Sequence, residues 1–187
     1  NRNLKYMKRK VIALATILSA AFAGSSMAYD GTITFTGKVV DQTCSVDTQS
    51  KNLAVILPTV SVATLNNVAT TAGLTPFTIK LTGCSTDKDG AKNVKVYFEP
   101  SADTDLTTHN LKNTATGTKA NNVQVQLLNS DAATTIQLGT DSATQDVHPV
   151  QIDNANVNLP YFAQYYATGQ STAGDVKATV NYTIAYE

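Results

Sequence analysis

The strongest constraint on what this chain can fold into is the pattern of residues 174–187, Gly-Asp-Val-Lys-Ala-Thr-Val-Asn-Tyr-Thr-Ile-Ala-Tyr-Glu. Val176, Ala178, Val180, Tyr182, Ile184 and Tyr186 fall on one face of an extended strand. Asp175, Lys177, Thr179, Asn181 and Thr183 fall on the other. A period of two over this length predicts a β-strand with one face in a sandwich core and the other in water. As the last strand of the chain it has no successor to pair with its outer edge, and an open edge is a row of unpaired backbone donors and acceptors. The pattern predicts an unfinished sheet.

A second segment has the same period. Residues 31–43 read Gly-Thr-Ile-Thr-Phe-Thr-Gly-Lys-Val-Val-Asp-Gln-Thr, with Ile33, Phe35, Gly37 and Val39 on one face and Thr32, Thr34, Thr36 and Lys38 between them. Such a segment is either the first strand of its own sheet or a strand lent to a neighbour, the mode of recognition called β-augmentation. Gly37 adds a constraint, because glycine weakens a strand unless a neighbouring group needs its space. If the strand is lent, Gly37 is expected to sit where the receiving groove is narrow.

The start of the chain reads as an export signal. Met7 has the position of an initiator, Lys8, Arg9 and Lys10 form a basic stretch, residues 11–22 are apolar, and Ser26-Met27-Ala28 supplies the small residues of a cleavage site. The apolar run is too short to span a bilayer. Residues 1–28 are therefore expected to be upstream residues and signal peptide, with the mature chain beginning at Tyr29. Five of the 14 basic residues and none of the 14 acidic ones precede Tyr29, which leaves nine against 14, a net charge of −5. That balance argues against nucleic acid or an anionic membrane surface as a partner, since both call for a basic patch. The remaining length suits one domain with its own core and no linker.

The only two cysteines, Cys44 and Cys84, both follow the signal, and an oxidising compartment would pair them. Two free buried thiols are the alternative. Short apolar or alternating runs recur with turn signals between them: 53–57 before Pro58, Phe77 to Leu81, Val94 to Phe98 after Asp89-Gly90, Val123 to Leu127, Ile136 to Leu138, and Leu159 to Ala167. Residues 60–68 leave room for a short helical turn, and residues 110–122, rich in Thr, Ala, Asn and Lys, read as a surface loop. Many short strands and one cystine point to an all-β domain resembling an immunoglobulin sandwich, without that fold's tryptophan.

Chemistry-bearing motifs are few. His109 and His148 have no cysteine or carboxylate at metal-ligand spacing, and Asp87-Lys-Asp89-Gly90 lacks the later ligands of a calcium loop. Tyr161, Tyr165 and Tyr166 would suit a carbohydrate platform, but tyrosine in an alternating strand is more often packing. No nucleophile elbow or phosphate-cradling loop occurs, so the chain reads as a non-enzyme without cofactor or metal.

Four strings, in order, resemble the subunits of chaperone–usher fimbriae, the type 1 pilin family: residues 31–46 through Cys44, residues 76–84 (Pro-Phe-Thr-Ile-Lys-Leu-Thr-Gly-Cys), residues 162–169 (Phe-Ala-Gln-Tyr-Tyr-Ala-Thr-Gly), and the end pattern with Gly174 and Tyr186. The resemblance implies an all-β, incomplete immunoglobulin-like sandwich lacking its last strand and completed by donor-strand exchange. Residues 29–43 would be the donor extension, running into the first strand, and residues 44–187 the pilin domain. Ile33, Phe35, Gly37 and Val39 would enter a neighbour's groove. Gly174, Val176, Ala178, Val180, Tyr182, Ile184 and Tyr186 would form the acceptor groove and the strand a periplasmic chaperone binds. Other implied partners are further copies or related pilins, an outer-membrane usher, and host receptors through the fibre tip. The protein would be a structural subunit of a cell-surface fimbria supporting adhesion; the alternative is a minor or tip pilin acting as a receptor-binding module.

Overall fold

The computed structural model describes residues 30–41, 44–87 and 90–187. The export signal and Tyr29 lie outside the described residues. The chain divides into two compact units, residues 1–37 and residues 38–187. The described part of the first, residues 30–37, forms neither helix nor ladder.

The described second unit contains nine strands: β1 (Ser45–Val46), β2 (Thr71–Thr82), β3 (Asn93–Phe98), β4 (Thr104–Asp105), β5 (Asn110–Lys112), β6 (Val123–Leu128), β7 (Val150–Gln151), β8 (Val157–Ala167) and β9 (Tyr182–Tyr186). One sheet has the order β1-β2-β8-β6-β5-β4 and the other β7-β3-β9, with every named ladder antiparallel. The inward residues of β3, Val94, Val96 and Phe98, are buried and pack with Ile79 and Leu81 of β2, Leu127 of β6 and Leu159 and Tyr161 of β8. Each such side chain contributes roughly 1.5 to 3 kcal/mol on full burial. Two antiparallel sheets over one alternating core make the immunoglobulin-like sandwich that the strand spacing predicts.

Local chemistry sets the details. Cys44 and Cys84 form a disulfide across 40 residues, worth about 4 kcal/mol in the chain-entropy treatment. Asp47 caps a single-turn helix, α1 (Thr48–Lys51), by accepting from the Gln49 amide at 2.9 Å. That turn buries Ser50, whose hydroxyl accepts from the Lys80 amide at 2.9 Å. A β-bulge between Ala72 and Thr75 carries Gly73 at φ 73°, where a Cβ would meet the Tyr165 ring at 3.0 Å.

Residues 62–65 form the expected helical turn. Three expectations need correction. Residues 53–57 join no ladder. Ile136 and Leu138 are buried in the core, but the nearest pairing is an isolated bridge between Leu128 and Thr135. The 110–122 stretch is not merely surface loop, since Asn110 and Leu111 are buried in β5 and the residues after them bond to the chain near Asp175.

Candidate functional site

The hydrogen-bond phase of β9 defines an open edge. Asn93 and Glu187 exchange both backbone bonds, at 3.0 and 2.9 Å, and the Glu99 amide donates to the Asn181 carbonyl at 2.8 Å. In an antiparallel ladder, residues that exchange bonds alternate with residues whose amide and carbonyl point the other way. The odd-numbered residues 181, 183, 185 and 187 therefore turn toward β3, and the even-numbered ones turn away from it. β9 ends its sheet on that side. Among the described residues, the backbone groups of Val176, Ala178, Val180, Tyr182, Ile184 and Tyr186 make no hydrogen bond.

The same even-numbered residues are half-buried and pack on the core. Beside their free edge runs a groove of about 1030 Å³. Val176, Ala178, Val180 and Tyr182 form one wall, and Leu53, Val55 and Leu57 belong to the other. Phe77, Ile79, Phe98, Leu111, Val125 and Leu127 are reached between them. An apolar floor, flanked by residues 53–57, which join no ladder, and by the unpaired edge of residues 176–182, lacks what one more strand would supply: alternating apolar side chains and a set of backbone donors and acceptors.

Other sequence candidates have definite places. Ile184 and Tyr186 lie farther along β9, where the Tyr186 hydroxyl meets both backbone groups of Cys44, at 3.2 Å from the amide and 3.3 Å from the carbonyl. The Tyr182 hydroxyl donates to the Ser50 carbonyl at 2.8 Å. Together these tie the last strand to the beginning of the domain. Gly174 sits against the 118–120 backbone, where a Cβ would lie 2.4 Å from the Ala120 nitrogen. In the extension Ile33, Phe35 and Val39 are 80, 90 and 98% exposed, and a Cβ on Gly37 would meet nothing within 4 Å.

By contrast, the far edge of β3 is closed. The buried Gln145 amide accepts from the Phe98 amide at 2.9 Å and donates to the Phe98 carbonyl at 2.8 Å, as a neighbouring strand would. The side chain of Asn129 likewise serves the 129–148 loop, donating to the Asp146 carbonyl at 2.7 Å and accepting from the His148 amide at 2.8 Å. Nothing local in a polar loop marks these two amides as buried.

The tyrosines of β8 divide. Tyr161 is buried edge-on to Phe98, with ring centroids 5.5 Å apart, and burial pushes its hydroxyl up to about 12. Tyr165 is half-buried, and its hydroxyl is also raised by burial. His109 Nδ1 is 2.9 Å from the Leu138 carbonyl. The Asp87 carboxylate accepts from the Ser85 hydroxyl at 2.8 Å, while Lys88 and Asp89 lie outside the described residues. Asp131 is held down to about 2 by the Thr134 hydroxyl and by the Ala133 and Thr134 amides. No helix among the described residues is long and apolar enough to cross a membrane.

Fold and edge together define a class: an immunoglobulin-like domain short of one strand. The type-1 fimbrial protein A family model matches residues 57–187. Over 180 residues the chain is 58% identical to the F17 fimbrial protein of Escherichia coli, covering 96% of this chain and 99% of that one. It is 44% identical to the major fimbrial subunit SMF-1 of Stenotrophomonas maltophilia, covering 89% of this chain and 98% of that one. A solved chaperone–usher pilus structure superposes with a TM-score of 0.61 at 18% identity, covering 93% of this chain and all of the other, a likeness of fold. The chain belongs to the type-1 fimbrial protein family.

Proposed function

We propose that this protein is a structural subunit of a cell-surface fimbria that polymerises by passing a strand from one copy to the next. The observation that carries the reading is the free edge of residues 176–186 above an apolar groove. Residues 29–43 are the donor extension and residues 44–187 the accepting domain. Ile33, Phe35 and Val39 enter a neighbour's groove, with Gly37 at its narrow place. Val176, Ala178, Val180 and Tyr182 receive them, Ile184 and Tyr186 continue the accepting edge, and Gly174 sets where it begins.

An unfilled groove exposes apolar surface and an unpaired edge, the two features that drive aggregation. A periplasmic chaperone covers it before assembly, an outer-membrane usher exchanges that cover for the next subunit's extension, and the product is an extracellular fibre. The exposed apolar face of the extension favours a shaft subunit over a tip adhesin, because a subunit that only ends a fibre has no groove ahead of it to fill. Nothing in this role requires catalysis.

The test is expression with a matching chaperone and usher, followed by denaturing electrophoresis of unboiled surface extracts beside a variant lacking residues 29–41. The reading predicts a ladder of detergent-resistant multimers from the full chain and none from the variant. A stable lone monomer of the full chain without chaperone would mean that the sandwich is complete, and would overturn it.

A further inference from the structure

The accepting strand is anchored at two points and bare between them. At one end the ladder with β3 stops at the bond from the Glu99 amide to the Asn181 carbonyl. At the other, residues 113–120 close on residues 175–177. The Asp175 amide donates to the Thr118 carbonyl at 2.7 Å, the Ala120 amide to the Asp175 carbonyl at 3.0 Å, and the Thr114 amide to the Lys177 carbonyl at 2.8 Å. Among the described residues, Ala178, Thr179 and Val180 have no backbone bond on either edge.

One side chain organises the second anchor. The Asn113 carboxamide nitrogen donates to the carbonyls of Ala120, at 3.0 Å, and Asp175, at 2.9 Å. Its oxygen accepts from the amides of Ala115 and Lys177, each at 3.0 Å. Both protons and two lone-pair directions are used, a combination that an aspartate cannot reproduce because it has no donors. Lys177 is an odd-numbered residue, so Asn113 holds the strand by the edge away from the groove and leaves the even-numbered groups clear.

We propose that Asn113 is a positioning residue for strand uptake, holding residues 175–177 so that 176–180 stay extended and present their free edge to the incoming strand. The inference rests on the strand-exchange reading above. A segment with exposed backbone groups and few bonds opens at little cost. Without the Asn113 clasp, each incoming strand, the chaperone's cover first and the next subunit's extension after it, must order the acceptor as well as itself, and that ordering opposes binding. In the finished fibre the donor's own ladder holds 176–180, so the clasp matters to the rate of uptake and little to the final product.

That split between rate and product is the test. Full-length Asn113→Ala and Asn113→Asp are compared with the unaltered chain in cells that assemble it, by pulse-labelling subunits and following their entry into detergent-resistant multimers. The dissociation temperature of the finished multimers is measured in parallel. Both variants are expected to enter multimers at least about tenfold more slowly, since Asn113→Asp loses the two donated bonds and Asn113→Ala all four, with the dissociation temperature unchanged. Uptake at the unaltered rate overturns the proposal. So does a fall in dissociation temperature that accounts for the slower uptake, because that marks general destabilisation. If Asn113→Ala does not accumulate, Asn113→Asp decides, since it keeps the shape and both accepting bonds. Absence of multimers from the unaltered chain would instead refute strand exchange itself.

Discussion

Substitution of Phe35 by alanine separates the stability of the subunit from that of the fibre. Phe35 is 90% exposed, so removing its ring uncovers little surface in its own subunit, and the change in that subunit's stability should lie within about 0.5 kcal/mol. In a neighbour's groove the same ring would go from almost complete exposure to burial against Phe77, Ile79 or Leu127. Burying it contributes about 3 kcal/mol, and its loss would also leave a cavity. A loss of about 3 kcal/mol from the bound state corresponds to roughly 150-fold faster separation of subunits. The assay is dissociation of purified fibres in detergent as a function of time at fixed temperature, read as decay of the multimer ladder. Thermal unfolding of the chaperone-bound subunit is run beside it, with Thr34→Ala as the control on the opposite face. Dissociation of Phe35→Ala fibres at the unaltered rate would refute the reasoning, as would an equal loss of stability in the chaperone-bound subunit.

Three further outcomes test the domain itself. Gly174→Ala places a Cβ 2.4 Å from the Ala120 nitrogen and 2.5 Å from the Lys119 carbonyl carbon, and should cost about 1 to 3 kcal/mol by thermal unfolding, the usual price of forcing atoms into filled space. Gln145→Leu leaves the buried Phe98 amide and carbonyl without partners, and should cost roughly 1 to 3 kcal/mol for each unsatisfied group by denaturant titration. Burial pushes the Tyr161 hydroxyl up to about 12, against the ordinary tyrosine value of 10.0. Its contribution is fully present below pH 10 and is lost as pH rises through 12, a fall of roughly 3 kcal/mol that should be absent from Tyr161→Phe in unfolding measured across that window.

Side-chain facing was legible in the sequence, and pairing was not. The alternation over 176–186 places the even-numbered residues toward the core as expected, with Ala185 the one outward position also half-buried. Where that strand acquires a ladder depends on β3 ending at Phe98, a residue far away in sequence. Residues 53–57 show the same limit: their apolar character reads as a strand, yet it is the lack of a ladder that makes them a groove wall. Asn113 was invisible because its string of Thr, Ala, Asn and Lys has the composition of a solvent loop. Its importance comes from four backbone groups brought together by the fold. The glutamines of β6 carry the same lesson. Gln124 and Gln126 occupy the outward positions of an alternating strand, but both are buried, Gln124 by bonds to Asp105, Thr108 and Asn110 and Gln126 by a bond to Gln164.

The most direct test of the central claim is a cryo-electron microscopy reconstruction of fibres assembled from the full chain. Residues 31–39 of one subunit should lie between residues 53–57 and 176–182 of the next, with Ile33, Phe35 and Val39 turned to the floor and the even-numbered backbone groups of 176–182 paired. Subunits joined through another surface, with that groove unfilled by a neighbour's chain, would contradict it.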